Sequence, residues 1–104
     1  MATAEEPQVL KVGELEVLPH AALARAGGEP LILSVREFGL LVALARRAGQ
    51  VVSREELYAA VWGGELRPAD RSVDVYVHKL RVKLAAALPG RDLIHTHFGF
   101  GYRV

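Results

Sequence analysis

Serine followed three residues later by glutamate occurs twice in this chain of 104 residues, as Ser34-Glu37 and as Ser53-Glu56, each time ahead of an apolar run. In such a capping box the serine oxygen accepts the backbone N–H of the glutamate, and the glutamate carboxylate accepts the N–H of the serine. Two of the donors left open at a helix N-terminus are satisfied at once. After Ser34, the residues Phe38, Leu41, Val42 and Ala45 recur at helical spacing and Gly49 supplies a stop, which predicts a first helix over about 35–48. After Ser53, a second helix buries Leu57, Ala60 and Val61 and ends near Trp62, where Gly63-Gly64 breaks it. Gln50 to Val52, between the two, leaves room only for an extended connection.

On either side of these helices the periodicity changes. From Val9 to Leu33 come the short β-prone runs VLKV, ELEVL, ALARA and PLILS, separated by Gly13, Pro19-His20 and Gly27-Gly28, a pattern that predicts a small antiparallel sheet. Beyond the second helix, a loop containing Pro68 leads to Asp70, the expected N-cap of a third helix over about 70–84 that frays at the alanines before Pro89-Gly90. The arms LIHTH and YRV then flank Phe98-Gly99-Phe100-Gly101, which reads as a hairpin. The fold class expected from this order is α+β: an N-terminal antiparallel sheet, three helices and a C-terminal β-hairpin wing, the winged helix-turn-helix pattern. Residues 9–104 form one domain in this reading, and residues 1–8, polar and acidic, are a disordered start or a linker remnant.

Composition excludes several functions. A chain with 51% hydrophobic and 24% charged residues is typical of one compact domain. No cysteine is present, so there is no disulfide framework, thiolate metal site or thiol chemistry. No run approaches the roughly 20 apolar residues of a membrane span, and MATAEEPQ lacks the layout of a signal peptide, so the expectation is a cytoplasmic protein with no membrane partner. His95-x-His97 places two imidazoles on one strand face, but no third ligand is evident. No enzyme activity, catalytic residue, cofactor or metal is expected.

Charge is uneven. Net charge is only +1, yet residues 71–104 carry Arg71, Lys79, Arg81, Lys83, Arg91 and Arg103 against Asp74 and Asp92. At 100° per residue the third helix gathers Val73, Val77, Leu80 and Leu84 into one narrow arc, with Tyr76 at its edge, as a core face. The opposite arc holds Arg71, Val75, His78 and Val82, flanked by Ser72, Lys79, Asp74 and Arg81. Cations beside small aliphatic groups suit a major-groove reader, because guanidinium reaches guanine or phosphate and an aliphatic group meets the thymine methyl. Val75, near the helix start, is the best methyl-reading candidate. Single exposed valines on a solvated face are also ordinary.

Three separated blocks, SVREFGLLVALARRAGQVVSREELYAAVWG, DRSVDVYVHKLRVKL and IHTHFGFGYRV, resemble in order the winged-helix effector domain of OmpR/PhoB-type response regulators. The resemblance covers residues 9–104. It implies a four-stranded N-terminal sheet, a positioning helix at about 54–62, a recognition helix at about 70–84 in the major groove of double-stranded DNA, and a wing at about 93–103 near the minor groove. By position it implies phosphate contacts from Arg54, Trp62, Arg71, Lys79, Thr96 and Tyr102, base-facing roles for Val75, His78 and Arg81, and a wing tip at Phe98 and Phe100. The loop Gly63 to Ala69, with Glu65, Leu66 and Arg67, corresponds to the segment that touches RNA polymerase in such domains. A weak monomer that pairs on tandem half-sites is implied as well. The residue types agree, since an indole N–H, a hydroxyl and a cation all donate to phosphate oxygens. Trp62 and Tyr102 also read as packed residues, and Arg54 as the partner of a nearby carboxylate.

The chain departs from the family pattern twice. His78-Lys79 replaces a basic pair in the recognition helix, and Phe98 stands where relatives often carry a minor-groove arginine. The wing is therefore expected to offer apolar contact and phosphate donors rather than a minor-groove cation: a phenyl ring either packs along sugar edges beside the minor groove or folds back with Phe100 and Tyr102 to stiffen the hairpin, while insertion between bases would demand roughly a few kcal/mol of unstacking energy. The rival function is a winged-helix protein-interaction module, whose signature would be an apolar or acidic recognition face rather than a mixed basic one.

Overall fold

The computed structural model describes residues 8–104; the expectation for 1–8 lies, apart from Gln8, outside the described residues. Strands β1 (Leu10–Val12), β2 (Leu15–Leu18), β3 (Leu23–Ala26) and β4 (Glu29–Pro30) form one antiparallel sheet in sequential order. The register Leu15↔Ala26 and Val17↔Ala24 pairs a large with a small side chain on one face, and all four are buried. This face packs on helix α1 (Val35–Ala45). PLILS is not a strand as expected: β4 stops at Pro30, and Leu31 only donates its N–H to Ala24 O at 2.8 Å.

Both capping boxes form in full. Ser34 Oγ accepts from Glu37 N and Ser53 Oγ from Glu56 N, with the reciprocal carboxylate bonds in place. Helix α1 ends at Ala45, three residues before the expected limit, because Arg47 and Ala48 tighten into turn bonds to Leu44 O and Ala45 O. Its buried apolar residues are Leu40, Leu41, Leu44 and Ala45, whereas Phe38 and Val42 of the expected stripe are only half-buried. The arc is rotated because α1 touches the sheet on one side and two helices on the others. Helix α2 (Arg54–Val61) buries Leu57 but leaves Ala60 exposed. Gly39 lets it approach α1 closely: a Cβ there would lie 3.2 Å from a methyl group of Val61.

Helix α3 (Ser72–Ala87) buries Val73, Val77, Leu80 and Leu84, the four residues of the expected arc. Its ends differ from expectation. Arg71, not Asp70, occupies the N-cap position, while the Asp70 carboxylate one residue earlier accepts from Ser72 N at 2.8 Å and from Ser72 Oγ. The alanines remain helical to Ala87, consistent with the high helix propensity of alanine. Strands β5 (His95–His97) and β6 (Gly101–Arg103) then form the hairpin, and β6 also pairs with the α1–α2 connection, where Val52 N and Tyr102 O, and Tyr102 N and Val52 O, bond at 2.8 and 2.9 Å. The α+β winged-helix architecture expected from the sequence is the observed one.

Candidate nucleic-acid interface

Helix α3 directs Arg71, Val75, His78 and Lys79 outward, and these four with Asp74 line a shallow concavity of about 350 Å³. Val75 is 47% and Val82 54% exposed, so both valines that fall outside the core arc face solvent. Lys79 Nζ lies 4.6 Å from the centre of the Tyr76 ring. Arg71 is more exposed still and touches Asp74 Oδ2 through Nε at 3.3 Å.

Asp74 is the hub of the site. Its Oδ1 accepts from Arg54 Nε at 2.7 Å and from the Tyr102 hydroxyl, and its Oδ2 faces Arg71. One carboxylate thus joins α2, the start of α3 and the second wing strand. Burial on its own would raise the Asp74 pKa, but the Tyr102 hydroxyl and the Arg54 guanidinium outweigh it and hold the carboxyl below its ordinary range. Burial and the adjacent Asp74 carboxylate push the Tyr102 phenol up, so it keeps the proton it donates. The Asp74 hydrogen bond raises the Arg54 guanidinium, although burial opposes this.

A second tie fixes the wing. Arg81 Nη2 donates to Ile94 O at 2.9 Å and to Thr96 Oγ1 at 2.6 Å, and its guanidinium carbon lies 5.5 Å from the centre of the Tyr102 ring. Arg81 was expected to face the bases; it is turned to the wing, because an unpaired carbonyl and a hydroxyl lie within reach of its fork. Tyr102, expected at phosphate, is 4% exposed, with its O–H committed to Asp74. Arg54 is paired with Asp74 but remains one-third exposed. Thr96 accepts from Arg81 and retains its own hydroxyl hydrogen for a further acceptor.

Trp62, at the C-cap of α2, is half-buried, stacked on Tyr58 with centroids 5.3 Å apart and edge-on to Tyr76 at 5.5 Å. Arg36 covers the indole at 5.2 Å and caps the helix by donating to Val61 O at 2.6 Å. The sequence reading missed Arg36, and it placed Glu37 in the capping box without foreseeing that the carboxylate is buried and accepts from Lys83 Nζ at 2.6 Å. In the loop before α3, Asp70 N bonds Arg67 O at 3.0 Å with Pro68 inside the turn; Glu65 and Arg67 are exposed and Leu66 is half-buried.

At the wing tip, Phe98 is 87% and Phe100 74% exposed. Of the two expectations for the tip, the fold-back does not occur. Tyr102 already carries the Arg54 and Arg81 guanidiniums over its ring, and the three-residue strands leave the tip no other surface to cover. His97 Nε2 accepts from Arg103 Nε at 3.1 Å, and among the described residues no group of three metal-ligating side chains converges. No helix among them is long and apolar enough to cross a membrane.

Residues 28–104 match the family described as "Transcriptional regulatory protein, C terminal". The chain is 38% identical to transcriptional regulatory protein CreB of Escherichia coli over 90% of its own length and 41% of that protein. It is 38% identical to DNA-binding response regulator MtrA of Mycolicibacterium smegmatis over 95% of its length and 43% of that protein. The chain therefore spans about two-fifths of these curated relatives. Among solved structures, it resembles the DNA-binding domain of CpxR from E. coli, with a TM-score of 0.85 and 38% identity over 93% of this chain and 95% of that one. It also resembles the Klebsiella pneumoniae RstA DNA-binding domain solved in complex with the RstA box, with a TM-score of 0.80 and 36% identity over 92% and 95% of the two chains.

Proposed function

The chain belongs to the family of C-terminal domains of transcriptional regulatory proteins, the OmpR/PhoB-type winged-helix domains, and from that premise we propose that it binds double-stranded DNA sequence-specifically as the effector domain of a response regulator. The observation that carries the reading is the exposed face of α3, where Arg71 and Lys79 flank Val75 and His78. In this reading α3 enters the major groove, with Val75 against a thymine methyl and His78 on a base edge. Arg71, Lys79, the Thr96 hydroxyl, Trp62 and the exposed part of Arg54 hold phosphates and fix register. Arg81 and Tyr102 act inside the protein and position the wing. The loop bearing Glu65, Leu66 and Arg67 meets RNA polymerase. The domain acts in the cytoplasm as a regulator rather than an enzyme, binds weakly as a monomer, and pairs on two half-sites about one helical turn apart.

A mixed, cationic recognition face favours DNA over the protein-interaction alternative, which would present an apolar or acidic surface. Binding to a random-sequence duplex library, followed by salt titration of the selected site, tests the proposal. With roughly five phosphates neutralised, log affinity should fall against log salt with a slope of about −4 to −5. Failure to enrich any sequence, or salt-independent binding, refutes it.

A further inference from the structure

The wing tip is apolar, exposed and stiff. Phe98 and Phe100 flank Gly99, whose φ of 81° allows the turn closed by Phe100 N and His97 O at 2.9 Å. No ionisable side chain lies from Phe98 to Gly101. Each ring offers ~150–250 Å² to a partner, yet the rings are 87% and 74% exposed. The base of the hairpin is locked. A Cβ on Gly101 would fall 2.0 Å from Val52 O, so only glycine allows β6 to pair with the α1–α2 connection. Arg81 clamps β5 to α3, and the Tyr102 hydroxyl on Asp74 clamps β6.

Resting on the DNA-binding reading above, we infer that Phe98 and Phe100 form an apolar wedge that enters the minor groove and unstacks a deformable pyrimidine–purine step beside the α3 contact. Continuity with the recognition face selects this occupant. The wing is tied to α3 at both strands, so seating α3 in the major groove carries the tip to the adjacent backbone and minor groove as one rigid body. A wedge needs such backing, because a hinged side chain would yield before a base stack did. Charge selects the mode. With no cation at the tip, and with Arg103 turned to His97, electrostatic reading of a narrow A-tract groove is closed to this wing, whereas apolar insertion gains from removing two phenyl rings from water. TA and CA/TG steps unstack most readily, and inserted apolar side chains kink duplexes by roughly 20–90°. The wing therefore selects DNA by deformability.

The test is selection from a random-sequence duplex library with wild type, the double variant Phe98→Ala/Phe100→Ala, and Phe98→Arg, followed by bending assays on the selected sites. Both phenylalanines are exposed, so the variants should keep the wild-type thermal midpoint. Wild type should enrich a TA or CA/TG step at a fixed distance from the α3 motif, prefer it over AA by on the order of tenfold, and bend the site. The double variant should keep the α3 motif and lose both the step preference and the bend. Phe98→Arg should exchange the step for an A-tract. An unchanged flank and bend in the double variant overturns the wedge and leaves DNA binding intact, while absence of any motif for wild type overturns both. Self-association of wild type that the double variant abolishes would make the tip a seat for a second copy, through the exposed Ile32 and Val35, and overturns the wedge equally.

Discussion

Replacing Asp74 with alanine should cost about 3–5 kcal/mol of stability, an unusually large effect for one residue beside a solvent-facing helix surface. The figure follows from what the carboxylate touches. Its bond from Arg54 Nε, at 2.7 Å between side chains 33% and 20% exposed, is charge-assisted and only partly screened, worth about 1.5–3 kcal/mol. The Tyr102 hydroxyl, on a residue 4% exposed, would lose its acceptor, at about 1–3 kcal/mol for an unsatisfied buried donor. The Arg71 contact, with its arginine 77% exposed, adds little. Domains of this size have about 5–15 kcal/mol in all, so the melting temperature should fall by at least ~12 °C.

Urea unfolding followed by Trp62, the only tryptophan, is the assay, with Tyr102→Phe and the double variant completing a cycle. Coupling between the two sites should be about 1–2 kcal/mol. The acid limb provides a second check. Because the folded-state pKa of Asp74 lies below its ordinary value of 3.8, its stabilisation is fully present above that value and is lost as pH falls through the lower, folded-state value. Wild type and Asp74→Ala should therefore differ fully at neutral pH, begin to converge only as pH falls below about 4, and complete the convergence below the lower, folded-state value. A loss under ~1 kcal/mol at pH 7, or zero coupling with Tyr102→Phe, would show that the hub does not hold the wing and would refute the reasoning.

Gly101→Ala should prevent the Val52–Tyr102 pairing, since its Cβ would overlap Val52 O at 2.0 Å; amide exchange at Val52 and Tyr102 should rise to the rate of global opening or the domain should fail to fold, and a protected pair in a stable variant would count against this. Val75→Ala should cost about 1 kcal/mol on the selected site and little on random DNA, whereas Lys79→Ala should weaken every sequence alike and flatten the salt slope by about 1; fluorescence anisotropy on both duplexes separates the two, and uniform losses for Val75→Ala would remove its base-reading role. Lys83→Met should destabilise by about 2 kcal/mol, because it strands Glu37, whose carboxyl the Lys83 ammonium helps to hold below its ordinary range despite burial; chemical denaturation showing Lys83→Met equal to wild type would contradict this.

Local signals in the sequence transferred well where local physics decides. The capping boxes at Ser34 and Ser53 and the arc Val73, Val77, Leu80, Leu84 needed only nearest-neighbour hydrogen bonding and the helical period. The reading slipped where a tertiary neighbour decides. The buried arc of α1 is rotated toward Leu40 and Leu44 because the sheet, α2 and α3 all press on it, and no periodicity count reports how many neighbours a helix will have. PLILS has strand composition, but a strand needs a partner, and β3 offers β4 only two residues.

The same distinction sorts the candidate site. Arg71, Val75, His78 and Lys79 form a surface by virtue of the helical period alone. Arg54, Arg81 and Tyr102 are the same chemical types as the groups that grip phosphate, yet their partners are 20, 13 to 15 and 28 residues away in sequence. A donor already bonded inside the protein, to the Asp74 carboxylate for Arg54 and Tyr102 or to a carbonyl and a hydroxyl for Arg81, has to exchange that bond before it can serve a phosphate, whereas a solvated donor such as Lys79 would bring its full attraction to the duplex. In the proposed complex Arg81 and Tyr102 would therefore lend geometry rather than affinity, while Arg54, one-third exposed, would offer only its free part to a phosphate. The bonds of Arg81 and Tyr102 tie the wing to α3 and so fix how far the exposed residues of α3 and the Phe98–Phe100 tip stand apart.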